Sequence, residues 1–303
     1  MPILQSFDKY RATIDARSDA ENQDKHEDTP QTLSPSFKLA FADSEFLLRD
    51  ALRPVRLQLE LLKPEMLLQE QNIQSTVVIF GSARTPTPEQ AAQELEDAKA
   101  ALEKAPDSDE AQRAVRRAQK RVEHGEYYAQ ARKFATIVSN ANLATGRSDF
   151  VVKTGGGPGI MEAANRGAHD VGARSLGLAI ALPKEEKPNA YVTPELCFQF
   201  HYFAIRKMHF LMRAVAMVAF PGGFGTFDEL FESLTLMQTG RIKRMPIILF
   251  GSQYWKRTVN FEALAEEQVI SEDDLDLFKY VDTAEEAWEL IRQFYKDKIT
   301  VEI

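Results

Sequence analysis

A single cysteine, Cys197, in 303 residues leaves no partner for an internal disulfide and no thiolate set for a zinc site. The five histidines are scattered, without HExxH or related spacing, so neither a metal site nor a cofactor is expected. A basic excess is missing as well. Against 37 Lys and Arg stand 45 Asp and Glu, and the formal net charge of −8 argues against a nucleic-acid surface while leaving room for a local basic pocket. No apolar run approaches the roughly eighteen residues of a membrane span, and the first residues lack the apolar core of a signal peptide, so the expectation is a cytoplasmic chain with no membrane partner. What is present is ordinary for a globular protein with a sizeable core: 44% of the residues are hydrophobic.

Residues 1–35 are polar, rich in Asp, Glu, Gln and Ser, and are expected to be disordered or loosely attached. From 36 to 71 apolar residues return at helical spacing, interrupted at Pro54 and Pro64, which predicts short helices ahead of the main domain. "TVVIF", Thr76 to Phe80, reads as the first buried strand and ends in "GSAR". Residues 88–124 form an Ala-, Glu-, Lys-, Gln- and Arg-rich stretch split by "APDSDE", predicting a helical hairpin that is either a solvated insertion or a partner-binding arm. Helix and strand patterns then alternate: helix 126–140, strand 150–154, helix 159–171, strand 175–181, a loop region, helix 204–213, strand 214–220, helix 227–237, strand 246–250 and helices near Phe261 and Glu285. The prediction is a single α/β domain over 36–303, a Rossmann-like parallel sheet with helices on both faces, extended by the N-terminal helices and the hairpin. In such sheets ligands sit beyond the carboxyl ends of the strands, at the point where the strand order reverses.

Two glycine turns fall on that edge. In "KTGGGPGIMEAANRGA", Lys153 to Ala168, four glycines occupy five positions between a short apolar strand and a helix. Neither the dinucleotide fingerprint nor the P-loop fits, because the sixth position counted from Gly155 is Ile160 and no Gly-Lys-Ser/Thr follows. The second turn, "FPGGFGTFDELFE", Phe220 to Glu232, again follows a strand. Each is a tight turn in its own right or a seat for an anion on the unpaired first amides of a helix, and the pair on one edge points to a nucleotide pocket. Thr226 and Glu229 also have the spacing of a capping box, which would make Glu229 a cap as well as a carboxylate facing the crevice.

"GGGPGIMEAANRGA" together with "PGGFGTFDE", and the Arg206-Lys207 pair ahead of the second motif, resembles the LONELY GUY (LOG) family, long mislabelled as lysine decarboxylase. The likeness runs from about Thr76 to Leu290, and the longer chain is similar to the bacterial branch. It implies hydrolysis of the N-glycosidic bond of a nucleoside 5'-monophosphate, AMP-like or a cytokinin nucleotide, to free base and ribose 5-phosphate, by a homo-oligomer (a dimer or a hexamer). Two departures from the plant form bear on which base is taken. Only Pro158 separates Gly157 from Gly159, and Met161 is followed by Glu162 where the plant form has Gly.

The resemblance assigns catalysis to Arg206 and Glu229. A carboxylate beside the ribose stabilises the positive charge that builds up as the base leaves, and a permanently protonated arginine clamps phosphate or leaving base. Gly222, Gly223, Gly225 and Thr226 would hold the 5'-phosphate, with Gly81, Ser82, Gly155, Gly156, Gly157 and Gly159 shaping the rest of the pocket. Lys207 would assist Arg206, although the pair also reads as a solvated basic helix start. Glu162 is either a second carboxylate near the sugar or a first-turn residue favoured by the helix dipole. Pyridoxal-dependent decarboxylation is rejected, since no lysine sits in a recognisable Schiff-base setting. The reading from another class is a nucleotide-binding carrier or sensor without turnover.

Overall fold

The computed structural model describes residues 16–22, 26–146, 148–183 and 187–299. The polar segment 1–35 expected to be loosely attached therefore falls partly outside the described residues, at 1–15 and 23–25. The chain divides into two compact units, 1–60 and 61–303. In the first lie helices α1 (Ala16–Asn22) and α2 (Ser44–Leu47), the latter capped by the Asp43 carboxylate on the Glu45 and Phe46 amides, and the start of α3 (Arg53–Glu70). Pro54 sits in the first turn of α3, where no helical N–H is lost, and Pro64 lies inside the helix without ending it. The expected break at Pro64 is thus absent, and α3 is one helix.

The second unit is a seven-stranded, wholly parallel sheet of order β4-β3-β2-β1-β5-β6-β7. Its strands are β1 (Thr76–Phe80), β2 (Val151–Thr154), β3 (Ser175–Ile180), β4 (Cys197–Phe200), β5 (Ala214–Ala219), β6 (Ile247–Phe250) and β7 (Phe278–Val281). The sheet grows outward from β1 to β4 and then returns to place β5 against the other side of β1, so the order reverses between β1 and β5.

Alternation along each strand feeds two cores. Val78, Phe80, Met217, Ala219 and Leu249 face one side, packed with Phe210, Leu230 and Trp255. Val77, Ile79, Val218, Ile248 and Phe250 face the other, packed with Phe134, Val138, Ile160 and Ala287. The helices that supply these partners are α5 (Asp109–Thr145), α6 (Ile160–His169), α7 (Phe203–Leu211), α8 (Phe224–Gln238), α9 (Ser252–Thr258), α10 (Phe261–Glu266) and α11 (Ala284–Ile299), and α4 (Pro88–Lys104) packs on α5. Helices thus cover both faces, as the alternating pattern requires. Among the described residues no helix is long and apolar enough to cross a membrane.

The hairpin forms, but its second arm does not stop. Residues 109–145 are one helix of 37 residues, with the expected helix 126–140 as its second half. Gly125, the weakest link, is where α4 comes closest: a Cβ there would lie 3.3 Å from Pro88 Cα. The arm before it is mainly exposed and is tied to α4 by the Arg121–Glu94 ion pair, whereas Tyr128, Phe134 and Val138 beyond it are buried.

Candidate functional site

Three turns at the carboxyl ends of β1, β2 and β5 meet at the reversal point. The first two backbones are joined through α6: the Ile160 N–H donates to Ser82 O at 3.1 Å, which requires Gly159 at its start to have φ +70 and no Cβ, since a Cβ would strike the Ser82 carbonyl. Ser82 N–H in turn donates to Pro221 O at 3.0 Å, joining the first turn to the third. Between them opens a cleft of about 850 Å³, ample for a nucleotide, walled by Gly81, Ser82, Gly155, Met161, Arg206, the run 221–229 and Tyr254.

The two glycine turns do different work. In the first, the Gly156 amide and the Gly156 and Gly157 carbonyls are already paired. Gly156 N–H donates to Thr154 Oγ1 at 2.9 Å, and Asn189 Nδ2 donates to the carbonyls of Gly156 (3.1 Å) and Gly157 (2.9 Å). Asn189 Nδ2 also reaches Asn165 Oδ1, which accepts from Thr154 Oγ1, while Asn165 Nδ2 donates to Ser175 Oγ, so a buried polar network fixes the loop. Gly156, Gly157 and Gly159 belong to this scaffold and do not line the cleft; Gly155 does. What approaches its backbone is an arginine: a Cβ at Gly155 would lie 2.7 Å from Arg206 Nη2 and 2.8 Å from Met161 Sδ.

The second turn is the open one. Helix α8 begins at Phe224, three residues earlier than its apolar pattern predicts, with Gly223 as N-cap. Its first backbone bonds are those of Thr226 N–H (3.0 Å) and Phe227 N–H (3.1 Å) to Gly223 O, so the preceding amides lie ahead of the helical ladder, on residues that line the cleft, where the positive end of a fifteen-residue helix favours an anion. Tyr254 Oη donates to Gly222 O at 2.5 Å and holds the turn. Gly222 is where Thr226 packs down, its hydroxyl against the space a Cβ would fill.

The earlier helix start overturns the capping-box reading. Thr226 is inside the first turn and caps nothing, and Glu229 is one turn further along, so its carboxylate is free of that duty. Glu229 is 7% exposed and lines the cleft. Burial is the main cause that pushes its pKa up to about 7; Lys207 and Arg206 pull it down, and Glu232 and Asp228 push it up.

Arg206 enters from α7. Its Nε donates to Leu178 O on β3, 2.7 Å away, and its guanidinium lies over the Phe210 ring at 4.9 Å, leaving the terminal nitrogens toward Gly155 and the cleft. Burial lowers its pKa and the Glu229 charge opposes that shift.

Two residues grouped with the site by sequence stand apart from the cleft lining. Lys207 projects outward, ion-paired to Asp228 at 2.8 Å and Glu232 at 3.0 Å. The Glu162 carboxylate accepts from Tyr128 Oη at 2.9 Å on α5, which favours the first-turn reading over a second carboxylate beside the sugar. Sequence reasoning missed His124, Phe203, Phe224 and Tyr254 on the cleft wall and the Thr154–Asn165–Asn189 network beneath it. Only the position of Tyr254 shortly after β6 gave a signal, as one more chain segment leaving the carboxyl edge.

Gly155→Ala is an informative variant. The backbone there is not left-handed, so the added methyl is expected to leave the fold intact while displacing the Arg206 guanidinium. Circular dichroism should be unchanged, and affinity of the cleft for phosphate-bearing nucleotides should fall roughly tenfold or more.

The family described as "Possible lysine decarboxylase" matches residues 161–291. The chain is 27% identical over 161 residues to cytokinin riboside 5'-monophosphate phosphoribohydrolase LOG3 of Arabidopsis thaliana, covering 52% of this chain and 73% of that protein. To LOG2 of the same plant, which carries the same description, it is 34% identical over 97 residues, 31% of this chain and 44% of the relative. A probable enzyme of that description from Oryza sativa, LOG4, is 29% identical over 140 residues, and the chain spans 59% of its length. Among solved structures, a Moco carrier protein from Chlamydomonas reinhardtii superposes with a TM-score of 0.44 at 16% identity, over 74% of this chain and 99% of that one.

Proposed function

We propose that the protein, whose sequence is similar to LOG phosphoribohydrolases, is itself a phosphoribohydrolase that cleaves the N-glycosidic bond of a nucleoside 5'-monophosphate. The observation that carries this reading is the pairing of a buried carboxylate, released from capping, with a partly buried arginine in one cleft at the strand-order reversal. The open amides of α8, with Gly222, Gly223, Gly225 and Thr226, receive the 5'-phosphate. Glu229 then faces the ribose. As the C1'–N bond breaks, its electrons leave with the base, positive charge spreads over C1' and the ring oxygen, and the carboxylate stabilises it. Water adds to C1' on the face directed by Glu229, and its proton ends on the departing base, giving free base and ribose 5-phosphate. Arg206 clamps the phosphate or the base from the opposite wall. The family resemblance extends the proposal to a cytoplasmic homo-oligomer acting on purine or cytokinin nucleotides.

The pKa of Glu229 sets the pH dependence. The reactive form is the carboxylate, which is the minority form below about 7, so kcat/KM should rise with pH up to about 7 and fall close to tenfold per pH unit on the acid side. A profile flat from pH 5 to 8 would contradict the role of Glu229. The proposal itself is tested by a panel of purine and pyrimidine 5'-monophosphates assayed for ribose 5-phosphate. Release from at least one is expected, and binding without release from any would make the chain a nucleotide carrier.

A further inference from the structure

Strand β2 contains a residue that an apolar sheet has no use for. Lys153 lies between Val152 and Thr154, is paired with Val78 on β1 and Leu176 on β3, and is 1% exposed. Burying an ammonium there is costly, and burial holds its pKa down to about 7. Its Nζ donates to His209 O at 2.7 Å and to Phe210 O at 3.4 Å. These are carbonyls of the last turn of α7, a helix of nine residues whose end is buried, since His209 and Phe210 are 2% and 0% exposed. The ammonium thus sits at the end of a helix dipole that favours a cation. Glu65 and Arg213 close the same end: Arg213 donates to both Glu65 oxygens, at 3.3 and 2.9 Å, and Glu65 is the charge that most favours protonated Lys153.

Arg206 belongs to the same helix face, three and four residues before those carbonyls. From Arg206 to Phe210 the helix advances about 6 Å. From Lys153 to Gly155 the chain advances about 6.6 Å. The two spans match and run in opposite directions, so β2 and the turn that follows it hold α7 at two points: Lys153 grips its end, and Gly155 receives its arginine. We infer that Lys153 is a positioning residue that sets the depth of Arg206 in the cleft by anchoring the last turn of α7. In its bearing on catalysis this rests on the proposed function.

The test is a double-mutant cycle read by ribose 5-phosphate binding, measured by calorimetry so that no turnover intervenes. Lys153→Met fills the same volume without donors. It is expected to weaken binding roughly tenfold in the wild-type background and to have no further effect in an Arg206→Ala background. Equal losses in both backgrounds, or no loss in the first, would overturn the inference. Should Lys153→Met not fold, Lys153→Gln, which keeps a donor in the buried site, goes through the same cycle, and the same two outcomes count against the anchor. If the wild type does not bind ribose 5-phosphate, the nucleotide panel decides the proposed function, and hydrogen exchange decides the anchor on its own. Amides 204–211 should exchange about tenfold faster in the variant while those of β5 stay protected, and unchanged exchange of α7 would overturn it.

Discussion

Glu229→Gln is expected to lower turnover of a nucleoside 5'-monophosphate at least roughly a hundredfold while leaving nucleotide binding largely intact. The substitution preserves the shape of a side chain that is 7% exposed and removes the charge that the departing base calls for. The same variant reports on the fold. A carboxyl whose pKa is raised to about 7 stabilises the folded state fully below its unfolded value of 4.5 and loses that contribution as pH rises through 7. The amide has no such cost, so Glu229→Gln should melt above the wild type at pH 8 and close to it at pH 4. A slower, more stable enzyme is the signature of a buried catalytic charge. Unchanged turnover would reduce Glu229 to a helix residue.

Monophosphates should exceed the corresponding nucleosides by roughly a thousandfold or more in kcat/KM, because a nucleoside forfeits several charge-assisted hydrogen bonds of about 1.5 to 3 kcal/mol each. The geometry gives this a location. In the first glycine turn the Gly156 and Ile160 amides are tied to Thr154 and Ser82 and the Gly156 and Gly157 carbonyls to Asn189, so the proposed seat of the phosphate is the start of α8, Gly223 to Thr226. Arg206→Ala should narrow the preference, or abolish turnover where the arginine also serves the chemical step. Comparable rates on adenosine and AMP would remove the phosphate from that turn.

The inner sheet was legible because its strands are short apolar runs: β1, β2 and β6 are buried at every position. The two strands that periodicity missed, Cys197–Phe200 and Phe278–Val281, are the two edges of the sheet among the described residues, and each mixes buried with exposed positions in only four residues. Strand β2 also begins one residue late, because Phe150 has φ +56 and turns away against Trp288 and Tyr295. The start of α8 was misjudged for a related reason. Phe224 is 97% exposed and the glycines around it carry no periodicity, so the helix became visible only where Phe227 and Leu230 pack, and Thr226 looked like a cap. The family motifs singled out Arg206 and Glu229, which stand near helix starts, and the structure brings both to one cleft. Local patterns could not find Asn165, Asn189 or Lys153, whose partners are 10 to 57 residues away in the chain.

The most direct measurement is a mass balance on AMP incubated with the purified protein, followed by proton and phosphorus NMR. The account predicts adenine and ribose 5-phosphate in equal amounts, with no adenosine and no inorganic phosphate. Recovery of AMP and of every other 5'-monophosphate of the panel intact, or release of nucleoside and inorganic phosphate, would contradict it.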